Sequence, residues 1–145
     1  EVATNGTMLD LTGDAPKVVE YIEAGRTYLD GSVLIGALDG VVRDRIRMAL
    51  NGHVLITVII DEDDVPLGDA WVELMGLPET GKRGVPLADQ IEDELAEFLE
   101  RAPDKVLAND SKMDEAIRRI ARQVSMEEIG KKPEVTVVVS RLLAE

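Results

Sequence analysis

The chain has 145 residues, about the length of one domain. It has no cysteine and one histidine, which excludes disulfides, Cys-ligated zinc, thiol nucleophiles and any multi-His metal site built from this chain. The 16 basic and 29 acidic residues leave a formal charge of −13, which disfavours a general nucleic-acid coat but leaves room for a local basic patch.

Aromatics make up 3% and hydrophobics 45% of the chain, so the composition calls for an aliphatic core in an ordinary globular protein. The first residues lack the basic and apolar regions of a signal peptide, and the longest apolar run is far too short to span a membrane. Cytoplasmic location and no membrane partner are therefore expected. A start at Glu1 instead of Met suggests a fragment of something longer.

Residues 1–31 read as a β-rich arm. Asn5-Gly6, Gly13-Asp14-Ala15-Pro16, Ala24-Gly25 and Asp30-Gly31 separate three short strand-like runs, at 7–11, 17–22 and 26–29. Three short strands without a helix make a poor core, so the arm is expected to pack on another surface. The rest, residues 32–145, reads as one α+β domain.

Residues 39–52 predict a helix, with Asp39 as its cap, Val42, Ile46, Ala49 and Leu50 on one face, and Gly52 as the left-handed stop. Residues 53–61 predict a central strand, β-branched and apolar on both faces. The acidic turn Asp61-Glu62-Asp63-Asp64 follows, and residues 70–75 return as a hairpin partner.

A long helix is predicted from Pro86 to about residue 101, facing inward through Leu87, Ile91, Leu95, Phe98 and Leu99. Its other side carries Asp89, Glu92, Asp93, Glu94, Glu97 and Glu100, a solvated face. Ser111 and Asp114 resemble a capping box for a second long helix, which Gly130 stops. That helix turns Met113, Ile117, Ile120, Ala121 and Val124 inward. Residues 134–139 predict a closing strand. The fold class is a two-layer α+β sandwich, with a small, mostly three-stranded sheet covered by two long helices.

Few residues suggest chemistry. Residues 76–83 (Gly-Leu-Pro-Glu-Thr-Gly-Lys-Arg) match the Gly-x4-Gly-Lys part of a phosphate loop, a nucleotide-binding reading that rests on Gly76, Gly81 and Lys82. Arg83 stands where that loop needs Ser or Thr, and Gly84-Val85-Pro86 interrupts the helix that should follow. A flexible connection is the better reading. The acidic turn lacks the Gly and Glu positions of an EF-hand and reads as a solvated tip. His53 reads as a strand-edge residue, and no serine has a histidine beside it in the sequence to act as its base. Arg43, Arg45, Arg47, Arg118, Arg119 and Arg122 concentrate the positive charge. Arg118 and Arg122 share a helix face, and salt bridging is favoured over phosphate contact because no aromatic platform accompanies them. A protein-interaction module acting through Trp71 and the helix faces is the alternative function.

Several segments, in order, resemble the tail of the ribonuclease J family of the metallo-β-lactamase/β-CASP superfamily. They are Gly25-Arg-Thr-Tyr-Leu-Asp-Gly31, the Arg-rich helix ending Asn51-Gly52, the apolar strand 54–60, the helix pair and Lys131-Lys132-Pro133 before the last strand. The resemblance runs from about residue 5 to about residue 140. It departs at Val137, where family members often carry proline, and over Ala70-Trp-Val-Glu-Leu-Met-Gly76. It implies a non-catalytic C-terminal domain preceded by the last strands of a catalytic core. The parent would degrade RNA from a 5′ monophosphate end and also internally, using two metal ions, expected to be zinc, held outside this chain. It implies subunit assembly, with a homo-oligomer, the parent's core and RNA as partners. Arg43, Arg45, Arg47, Arg118, Arg119, Arg122, Lys131 and Lys132 are the candidate RNA or subunit contacts. No catalytic, cofactor-binding or metal-binding residue is expected within the chain.

Overall fold

The computed structural model describes residues 3–37 and 39–143. Glu1 and Val2, where the predicted arm opens, lie outside the described residues, as do Leu38, Ala144 and Glu145. The chain divides into two compact units, Glu1–Asp44 and Arg45–Glu145.

The first unit is built of hairpins. β1 (Thr7–Asp10) pairs antiparallel with β2 (Lys17–Tyr21), with an irregularity between Met8 and Leu9. Past β1, the Asp10 carboxylate accepts the Thr12 hydroxyl at 2.7 Å and the Thr12 amide at 2.9 Å. These bonds favour the ionised form and hold Asp10 below the usual carboxylate pKa. β3 (Thr27–Asp30) pairs with β4 (Val33–Gly36) across Gly31-Ser32, and Gly31 has the positive φ of 63° that a tight hairpin favours. β4 is a strand beyond the three expected. Its four residues sit so close to the next helix that their pattern merges with it. None of residues 3–37 is buried.

α1 (Gly40–Asn51) crosses the division between the units. The Asp39 carboxylate accepts the Gly36 amide at 2.5 Å. The predicted apolar face is not buried: Ile46 and Leu50 are more than half exposed, and α1 buries no residue. Amphipathic spacing defines a stripe; it does not supply the surface that covers it. The helix stops as expected at Gly52, whose φ is 72°. A Cβ there would come within 2.5 Å of Leu77, a second reason for glycine.

The second unit holds the core. β5 (His53–Ile60) is the central strand of a three-stranded sheet. β6 (Trp71–Met75) pairs with it antiparallel, and β7 (Glu134–Arg141) pairs with it parallel. α2 (Leu87–Arg101) and α4 (Asp110–Ile129) contact the sheet and each other, and the four-residue α3 (Asp104–Leu107) joins them. Pro103 stops α2 as predicted but then opens α3, which the sequence pattern did not reveal.

Burial along β5 alternates. Val54, Ile56, Val58 and Ile60 are at most 2% exposed, whereas Ile59 on the other face is 42% exposed. The helices therefore cover one face of the sheet, as the two-layer reading expects, and leave the apolar residues of the other face open. Leu87, Ile91, Leu95 and Leu99 of α2 meet Met113, Ile117, Ala121 and Val124 of α4 in the same core. Phe98 and Ile120 pack half-buried at its margin.

α4 is capped by Asn109, whose side chain accepts the Lys112 amide at 3.0 Å; the predicted Ser111 cap lies inside the helix. Asn109 has the extended backbone that a cap requires, and the helical turn begins immediately after it. Gly130 ends α4 in the left-handed conformation, as predicted.

Candidate functional site

The phosphate-loop-like segment lies across the end of α4. Glu128, on the last turn of that helix, has a fully buried side chain. Its carboxylate accepts from Arg83 Nε, and from the Arg83 amide at 3.3 Å. Its carbonyl accepts the Lys82 amide at 3.0 Å. A Cβ at Gly81 would sit 2.6 Å from the Glu128 side chain, so glycine allows this approach. Burial alone pushes the Glu128 carboxyl up, but the Arg83 hydrogen bonds and charge overcome it and leave the pKa below the usual glutamate value.

Two loop amides that a phosphate would need are thus already taken, Lys82 by the Glu128 carbonyl and Arg83 by its carboxylate. The helix that should aim its dipole at the phosphate begins only at Leu87, after a bridge between Thr80 and Pro86. Millimolar ATP with magnesium is expected to leave the melting temperature unchanged; a rise that saturates with nucleotide would restore the nucleotide reading.

The acidic turn has a structural use. The Asp61 carboxylate accepts the Asp63 and Val65 amides at 2.9 and 2.8 Å. Asp64, at a φ of 61°, binds Arg141 at 2.5 Å. Arg141 also reaches Asp110 at 2.7 Å and the Leu107 carbonyl at 2.6 Å. One arginine at the end of β7 therefore ties the hairpin tip, α3 and the start of α4 together. Little in the local pattern points to it, because an Arg after an apolar run looks like an exposed end. Beside this latch lies a cleft of about 750 Å³ between the 63–69 turn and residues 96–108.

The predicted basic contacts fall in several places. Arg43, Arg45 and Arg47 lie on exposed positions of α1. Arg118 forms a two-pronged pair with Asp114 at 3.0 and 3.1 Å and donates to the Val135 carbonyl on β7. Arg122 reaches the Pro133 carbonyl at 3.4 Å. Lys131 donates to the Leu50 carbonyl at 3.1 Å. Arg119 and Lys132 are exposed. The Arg118 salt bridge forms within α4 and not with the acidic α2. On α2, Glu92 does more than face solvent: it accepts the Val72 amide at 3.2 Å.

Two other candidates resolve simply. His53 Nε2 hydrogen-bonds the Thr136 hydroxyl across the sheet at 2.8 Å, and Nδ1 is buried without a partner. Buried Ser125 donates to the Ala121 carbonyl at 2.7 Å. Among the described residues, no group of three or more His, Asp or Glu side chains is placed to hold a metal ion. No described helix is long and apolar enough to cross a membrane. Trp71 is 68% exposed on the sheet face away from the helices.

Comparison with known proteins places this architecture. Residues 40–142 match the family described as the ribonuclease J C-terminal domain. The chain is also 32% identical over 139 residues to ribonuclease J of Sinorhizobium meliloti, an alignment that covers 95% of the chain and 24% of that protein. The chain thus spans about a quarter of the curated relative it matches. A three-stranded sheet backed by two long helices, within a segment matched over residues 40–142, makes this chain a member of the ribonuclease J C-terminal domain family.

Proposed function

We propose that this chain works as the non-catalytic C-terminal part of an RNA-degrading enzyme, supporting its catalytic core and assembling its subunits. The observation that carries the reading is the contrast between the two units. The second unit buries a continuous aliphatic core. The first presents Val19, Tyr21, Leu29 and Leu34 at 61–71% exposure, an apolar surface suited to packing on another body. The division into an arm of residues 1–31 and a domain of residues 32–145 belongs to this proposal.

The parent would be a hydrolase that acts from 5′ monophosphate ends and internally, in the cytoplasm, with two metal ions, expected to be zinc, activating water in its core. A chain with one histidine cannot supply a multi-His site for them. RNA would reach the enzyme through that core. Arg43, Arg45, Arg47, Arg118, Arg119, Arg122, Lys131 and Lys132 are the basic residues proposed for RNA or subunit contact.

The test is direct. The purified chain, given 5′-monophosphorylated RNA and zinc or magnesium, is expected to release no product. Metal-dependent cleavage that co-purifies with the chain through successive columns would overturn the reading. A parent enzyme truncated before this domain is expected to lose subunit assembly and, with it, activity.

A further inference from the structure

β7 is an edge strand of the sheet. Its register with β5 fixes which of its amides are used. The Glu134 amide donates to Gly52 and the Leu142 amide to Ile60, so the even-numbered residues point their backbone groups at β5. The odd-numbered residues point theirs away from the sheet. Arg118 satisfies the first of these outward carbonyls, at Val135. Val137 and Val139 follow, and among the described residues no strand pairs with that side of β7. The edge also lacks the devices that usually blunt one: residues 135–140 read Val-Thr-Val-Val-Val-Ser, with no charge and no proline.

We infer that the β7 edge pairs antiparallel with β7 of a second copy of this chain, about a two-fold axis through Val138, giving a continuous six-stranded sheet. This rests on the assembly role proposed above and names its surface. Three features favour a second copy as the occupant. First, the strand is self-complementary in this register. Val137 and Val139 exchange both backbone bonds with Val139 and Val137 of the second copy. Second, the side chains match. Val138, 41% exposed, meets itself, and Thr136 meets Ser140, a hydroxyl pair that can hydrogen-bond across strands. Third, the segment is uncharged, so two acidic chains can meet here without opposing like charges.

The absence of cysteine makes the test clean. Val138→Cys places the chain's sole thiol on the two-fold axis, in a close pair whose Cα atoms lie about 4.5 Å apart, within the range a disulfide spans. Ile59→Cys is the control: it is exposed on the same face but one strand further in, too far from its copy to bridge. Under mild oxidation Val138→Cys is expected to form disulfide dimer about tenfold faster than Ile59→Cys. Val138→Lys is expected to shift the unmodified dimer toward monomer in light scattering while leaving the circular dichroism and melting curve of the fold in place.

Equal cross-linking by both cysteines would overturn the inference. If the chain still self-associates in that case, the assembly role stands and another surface carries it. A chain that stays monomeric at every concentration would remove both. A monomer that binds an unrelated extended peptide along β7 would assign the edge to a different protein and overturn the second-copy pairing.

Discussion

Ile56→Ala is expected to destabilise the second unit by about 2–5 kcal/mol, whereas Ile59→Ala, three residues further along the same strand, should change stability by less than about 1 kcal/mol. Ile56 is fully buried between Val72 of β6 and Val137 of β7, under the two long helices. Truncation there removes buried methyl groups and leaves a cavity that a rigid sheet closes only in part. Ile59 faces away from the helices and is 42% exposed, so its truncation leaves no enclosed void. The pair shares residue type, strand and backbone geometry and differs in burial. Urea denaturation of both variants, followed by circular dichroism, separates them. Equal losses would mean that the open face of the sheet is covered in solution. The effect of Ile56→Ala is a large fraction of the roughly 5–15 kcal/mol that holds a domain of this kind folded.

Glu128→Gln is the second large expected effect, and it depends on pH. The glutamine keeps the shape of the side chain but loses the charge that holds Arg83 and its amide. At pH 7 the variant should melt below the parent chain, with the 79–86 loop loosened first. The pKa of Glu128 is lowered in the folded state, so its ionised form stabilises the fold above the ordinary glutamate value of about 4.3. That contribution is lost as pH falls through the lowered folded value. The gap between the two melting temperatures should therefore be full near neutrality and close progressively in acid. A gap that persists unchanged well below pH 4 would show that shape, not charge, is what Glu128 supplies. Gly81→Ala should reproduce much of the loosening at neutral pH, because its Cβ would collide with the Glu128 side chain.

Periodicity made the main architecture legible. The continuous β-branched, apolar run at 53–60, the four-residue spacing of Leu87, Ile91 and Leu95, and the paired stops at Gly52 and Gly130 are local signals, and the structure follows them. The parallel pairing of β7 with β5 was not legible, because register between distant segments is set by packing that no local window contains. The two latches were hidden for a different reason. Glu128 and Arg141 look like ordinary surface charges, and only the tertiary fold shows that one is buried under a glycine and the other clamped by two carboxylates. The α4 cap was ambiguous because Asn109, Asp110 and Ser111 are all capping residue types. The backbone at Asn109 decided among them. The likeness of residues 76–83 to a phosphate loop arises from glycines that serve close packing and not from a need to cradle an anion.

Pairing the central strand with the last one also sets the timing of biosynthesis. His53 and Thr136 touch although 83 residues separate them. At about 5–20 residues per second, the ribosome takes roughly 4–17 s to deliver β7 after β5. Throughout that interval one whole edge of an apolar, β-branched strand has no partner. A nascent chain halted between Gly130 and Glu134 would carry both long helices and a two-stranded sheet whose most hydrophobic strand is open to any passing β-segment. Such truncated products should be insoluble and rapidly degraded.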